Sequence, residues 1–138
     1  MKTVLYASRL LAESLTGDVT SLMISITNPA QPLATLRSNW GAIHRLQFHD
    51  VDSYDYLGHK VFNNTDAEGI CQFLQAHANT TSGIVVHCHS GVSRSTAIAK
   101  ALAEHYRLAL YPEEPKYYNP LVYKIMRKAL STFCIKPA

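Results

Sequence analysis

Gly83-Ile84-Val85-Val86-His87-Cys88 is the segment that most limits what this chain can become. A short β-branched run bounded by turn residues is too brief for a helix, and its lack of polar alternation suits a strand buried on both faces of a parallel sheet. Three residues after it stands Gly91, and from Ser93 an alanine-rich segment runs to Tyr106, apolar on most sides as a central helix is. A parallel strand leading at once into a helix requires further parallel strands beside it and further helices over it.

The rest of the chain offers both. Residues 4–7, 22–26 and 42–48 read as strands, the first closing in a turn, and residues 31–39 as a loop. Thr65-Asp66-Ala67-Glu68 reads as a capping box with Thr65 as N-cap, followed by Ile70, Phe73, Leu74 and His77 on one face of a helix ending near residue 78. Residues 111–118, rich in tyrosine and proline, read as a loop. Asn119 then caps a last helix that Pro120 opens, with Val122, Ile125, Met126, Ala129, Leu130 and Phe133 as its core face. The expected fold is α/β: one domain over residues 1–138, with a small, mostly parallel sheet of about four strands and helices on both faces.

Composition narrows the function classes. A chain of 138 residues with 47% hydrophobic and 17% charged side chains is not a disordered tail. Its net charge of +3, without a basic cluster, argues against a nucleic-acid surface yet suits an anionic substrate. No apolar run approaches the ~20 residues of a membrane span, and Arg9 and Glu13 interrupt the only stretch resembling a leader. Cys71, Cys88 and Cys134 are odd in number and form no Cys-x-x-Cys, which points to a reducing, cytoplasmic setting without a disulfide framework or zinc site.

The chemistry concentrates in His87-Cys88-His89-Ser90-Gly91-Val92-Ser93-Arg94-Ser95. Cysteine and arginine separated by five residues would arise by chance in about one such chain in seven, but the glycine three after the cysteine and the serine after the arginine cut this about a hundredfold. A thiol between strand and helix lies at the positive end of the helix dipole, under backbone N–H groups, conditions that favour a thiolate. Five intervening residues let the backbone curl round one tetrahedral anion. Gly91 supplies a conformation other residues resist, and Arg94 a planar fork for two oxygens at once.

These nine residues resemble the His-Cys-x5-Arg-Ser/Thr loop of the cysteine-dependent protein tyrosine phosphatases, above all their compact dual-specificity branch. A looser likeness in the order of elements extends over about residues 40–130, and the first forty residues carry no matching motif. The resemblance implies Cys88 as nucleophile and Arg94, with His89, Ser90, Gly91, Val92 and Ser93, as the phosphate cradle. It further implies Ser95 as the group that eases thiolate departure, His87 as a support orienting the cysteine, and no metal or other cofactor. It also implies an upstream aspartate as general acid. Asp50, Asp52 and Asp55 precede Cys88 by 38, 36 and 33 positions. Asp50 is favoured because it follows a strand in an apolar-x-Asp pattern, whereas spacing alone selects Asp55.

The implied reaction is phosphomonoester hydrolysis on protein phosphotyrosine, with phosphoserine and phosphothreonine as further substrates if the cleft is shallow. The partner is then a phosphorylated protein or small phosphomonoester, with no nucleic acid and no membrane. Alternatives are a phosphoinositide or RNA 5′-triphosphate substrate, a rhodanese-type sulfurtransferase, and a phosphate-binding module without turnover. Cys71 and Cys134 read as core thiols, with a Cys71–Cys88 disulfide as the less favoured alternative.

Overall fold

In the computed structural model, residues 1–53 and 57–134 are described. The elements run β1 (Thr3–Ser8), α1 (Arg9–Ser14), β2 (Ser21–Thr27), β3 (Ala42–Gln47), α2 (Asn64–His77), β4 (Gly83–Cys88), α3 (Arg94–Tyr106), β5 (Ala109–Tyr111) and α4 (Pro120–Phe133). The five strands form one sheet in the order β3-β2-β4-β1-β5, and every pairing is parallel. The β-branched run 83–88 is therefore the middle strand, paired on both edges and covered on both faces.

Alternation along the strands builds two unequal cores. Val4, Leu22, Ile24, Ile26, Ile84 and Val86 face a large apolar layer supplied by α2, α3 and α4. Each fully buried leucine, isoleucine or phenylalanine there contributes roughly 1.5–3 kcal/mol relative to exposure. On the other face Ala7, Met23 and Val85 meet Ala12 of α1 and Trp40 of the long loop before β3. Helices thus cover both faces, three on one and a single short one on the other.

Several sequence expectations change in detail. The sheet has five strands; β5 is a three-residue edge, too short to leave a periodic pattern, and it takes Tyr111 out of the expected loop. The turn after β1 is the short helix α1, capped by Ser8 Oγ accepting from Leu11 N at 3.1 Å. The second helix starts earlier than Thr65. Asn63 is its N-cap, accepting from Asp66 N at 2.9 Å while Asp66 Oδ2 accepts from Asn63 N at 3.1 Å. The shorter Asn/Asp pair closes the same reciprocal box, immediately after Phe62, which is buried against Phe48 with ring centroids 4.8 Å apart. Phe133, expected in the core, is 46% exposed because α4 ends there and Cys134 turns inward instead. Among the described residues no helix is long and apolar enough to cross a membrane.

In an all-parallel sheet every strand ends at the same edge. The carboxyl ends of β1, β2, β3 and β4 accordingly bring Ser8, Asn28, the segment 48–50 and Cys88 to one rim, where open α/β sheets form their ligand crevices.

Candidate active site

Cys88 is the last residue of β4 and is 1% exposed. Its Sγ accepts from Gly91 N at 3.3 Å and lies 3.1 Å from Ser95 Oγ, on the first turn of α3. Gly91 has φ +75°, and a Cβ there would stand 2.6 Å from Ser8 N and 2.7 Å from Ala7 C. The loop can ride over the end of β1 only if this residue lacks a side chain. A second tie, Arg9 N donating to His89 O at 3.1 Å, holds the loop against the start of α1.

Ser93 stands at the N-cap of α3 but does not cap it with its side chain. Its hydroxyl donates instead to Asp50 Oδ1 at 2.7 Å. The first turn of α3 therefore keeps its N–H groups free of a side-chain acceptor, and their combined dipole favours negative charge at the loop.

Arg94 is 4% exposed, yet among the described residues no carboxylate pairs with it. Its Nη1 donates to Asn28 Oδ1 and to Phe48 O, each at 2.7 Å, and its guanidinium lies 5.9 Å from the centre of the Phe48 ring. Nε is buried without a hydrogen-bond partner. A buried cation with an orphaned donor is costly unless an anion completes it. An oxyanion held in the 88–94 loop would do so, with Nη1 already fixing the orientation of the fork.

His87 supports the cysteine from the opposite face of β4. It is fully buried, with Nδ1 3.2 Å from Cys88 O and Nε2 2.6 Å from Ser25 Oγ. A carbonyl only accepts, so Nδ1 carries the proton and Nε2 of the neutral ring accepts from the Ser25 hydroxyl. Burial, opposed by the bond to Cys88 O, holds the His87 pKa below its usual value and keeps the ring neutral.

Among the described residues, Asp50 is the carboxylate bonded to the loop. Besides Ser93, Asn119 Nδ2 donates to the same Oδ1 at 2.9 Å and to Val51 O at 3.0 Å. The approach to Asp50 is anchored by Phe48 N donating to Thr27 O at 3.2 Å and His49 N donating to Lys60 O at 2.8 Å. Asp52 is exposed and takes part in none of these bonds, while Asp55 lies outside the described residues.

No family model, curated protein or solved structure matches this chain. The chemistry of the site stands on its own residues.

Cys88, Gly91, Ser93, Arg94, Ser95 and Asp50 are thus brought together by direct bonds or by the loop itself, and His87 lies behind them. His89, Ser90 and Val92 are exposed on the rim. Cys71 has no bond to Cys88; its partner is Cys134. Sequence reasoning missed Asn28 and Asn119. Asn28 follows β2 directly, so strand ends placed on one parallel edge would have pointed to it. Asn119 was read only as a helix cap. It does cap α4, its Oδ1 accepting from Leu121 N and Val122 N at 3.0 and 3.1 Å, while its amide nitrogen also fastens Asp50. Its own N–H donates to Ser93 O at 3.1 Å, joining the two loops a second time. A groove of about 200 Å³ adjoins the loop at Gly91 and Val92, walled by Tyr6, Pro115 and Tyr117 with Lys116 beside them.

Proposed function

We propose that this chain is a metal-independent phosphomonoester hydrolase that works through a cysteinyl-phosphate, with protein phosphotyrosine as its favoured substrate. The observation carrying this reading is the buried Arg94 guanidinium, held by Nη1 with Nε unpartnered, in the same short loop as a cysteine under the Gly91 N–H.

In this reaction Cys88 attacks phosphorus in line, forming the S–P bond as the ester oxygen leaves. Arg94 and the loop amides bind the equatorial oxygens and stabilise the charge they carry in the transition state. Asp50, fixed by Ser93 and Asn119, supplies the proton to the departing oxygen. Water then cleaves the S–P bond, and the Ser95 hydroxyl donates to the sulfur as it departs. The aromatic groove walls favour an aryl phosphate on a peptide, and the exposed loop positions carry no lysine for a highly charged inositol phosphate. Three cysteines without a disulfide framework suit a reducing, cytoplasmic setting.

Hydrolysis of p-nitrophenyl phosphate in the presence of a chelator, inhibited by vanadate and lost in Cys88→Ser, is the expected result. Acid quenching should trap phosphate on Cys88, detectable by mass spectrometry. Phosphopeptide binding without turnover would replace this reading with that of an inert module, and thiosulfate-to-cyanide transfer with that of a sulfurtransferase.

A further inference from the structure

The two cysteines outside the phosphate loop meet in the core. Cys71 is on α2 and Cys134 at the C-cap of α4, 1% and 4% exposed. Both cysteines pack in one apolar cluster with Tyr106 of α3 against it, and the Cys71 and Tyr106 side chains are the neighbours that act on the Cys134 thiol. Gln75 Nε2, one turn along α2 from Cys71, donates to Phe133 O at 2.7 Å and pins the end of α4 beside that helix. His105 Nε2 meets Cys134 O at 3.1 Å from the other side. Sequence distance hides this meeting, since the two residues come from different helices. A cavity of about 230 Å³, lined by Glu68, Cys71, Gln72, Gln75 and Phe133, brings solvent-sized molecules to Cys71. The Cys71 side chain, opposed by burial and reinforced by Tyr106, draws the Cys134 thiol down to about 7, and Cys134 together with burial pushes Cys71 up.

We propose that Cys71 and Cys134 are a redox pair that closes to an intramolecular disulfide under a peroxide, separately from the chemistry of Cys88. A thiolate of the pair attacks one peroxide oxygen, the O–O bond breaks, and its sulfur becomes a sulfenic acid as hydroxide leaves. The other cysteine then attacks that sulfur, the S–O bond breaks, and the departing oxygen leaves as water with that cysteine's proton. Two thiols lose two electrons and one peroxide becomes two waters. The bridge joins the end of α4 to α2 across a loop containing β4, the phosphate loop and α3, and so restricts the unfolded chain over most of the catalytic half.

The test treats the full chain with equimolar hydrogen peroxide, blocks remaining thiols with an alkylating agent and maps chymotryptic peptides, which part Cys71 from Cys88 at Phe73. The expected product links the Cys71 and Cys134 peptides with loss of two hydrogens. Its thermal midpoint should rise on the order of 10 °C and return on reduction. Cys88→Ser protein should give the same bridge. A Cys71–Cys88 link, a disulfide between two chains, or full alkylation of Cys71 and Cys134 while Cys88 alone is oxidised would each overturn the proposal. Because wild type and Cys88→Ser carry the decision, it does not depend on Cys134→Ser folding.

Discussion

Cys88 and Cys134 each close a regular element and each lie buried, yet their neighbours differ in kind. Cys88 ends a strand and faces the start of a helix, with a backbone amide and a serine hydroxyl at its sulfur. Arg94, in the same loop, is held by Asn28 and Phe48 O with its Nε left without a partner. Cys134 ends a helix and packs in the apolar cluster with Cys71 of α2 and Tyr106 of α3, and Glu68 lines the cavity beside Cys71. Polar donors at one sulfur and apolar packing around the other distinguish the two environments.

The sharpest way to break this contrast is to exchange the sulfurs one at a time. Cys88→Ser should lower p-nitrophenyl phosphate turnover by at least about 10⁴-fold, while Cys134→Ser should stay within about twofold of wild type. Comparable losses from both would show that the two environments are not distinct. Arg94→Lys should cost about 10²–10³-fold in kcat/KM and weaken vanadate inhibition in parallel, since a point charge cannot replace the fork fixed by Asn28 and Phe48 O.

Asp50→Asn should lower turnover about 10²-fold. The loss should be greater on phenyl phosphate than on p-nitrophenyl phosphate, whose leaving group scarcely needs a proton. A larger fall from Asp52→Asn would move the general acid there. Gly91→Ala should destabilise the fold by about 1–3 kcal/mol in urea denaturation and lower phosphate affinity, because its Cβ would press on Ser8 N.

The smallest effect concerns pH. Burial holds both His44 and His87 below their usual pKa. The unfolded chain then binds more protons than the folded one once the pH drops below about 6.5. Stability contributed by the two neutral rings is therefore intact above that pH and is lost as pH falls toward their folded-state values. The unfolding free energy from urea titrations should decline between pH 7 and pH 5, at up to about 1.4 kcal/mol per pH unit for each histidine. A flat profile would mean that the rings titrate alike in the folded and unfolded chain.

Strand β4 and the helix after it were legible because a buried parallel strand and an alanine-rich helix each leave a strong local pattern. The loop between them was legible because a tight turn from strand to helix past the end of β1 requires a glycine, and Gly91 stands there. The short elements α1 and β5 left no such pattern, and the start of α2 was misplaced because Asn63-x-x-Asp66 closes the same box as the Thr65-x-x-Glu68 it overlaps. The strand-end pattern preferred Asp50 to Asp52 and Asp55; the Ser93 and Asn119 bonds join Asp50 to the loop, and Asp55 lies outside the described residues.

From sequence alone came the α/β class and the strand-loop-helix carrying Cys88 and Arg94, because each depends on neighbours within about ten residues. Tertiary structure alone decided that Asn28 and Phe48 hold Arg94, that Asn119 and Ser93 hold Asp50, and that Cys71 meets Cys134 rather than Cys88. The reason is geometric. A parallel sheet delivers the ends of distant strands to one rim, and packed helices bring together side chains whose separation in the chain says nothing of their distance in space.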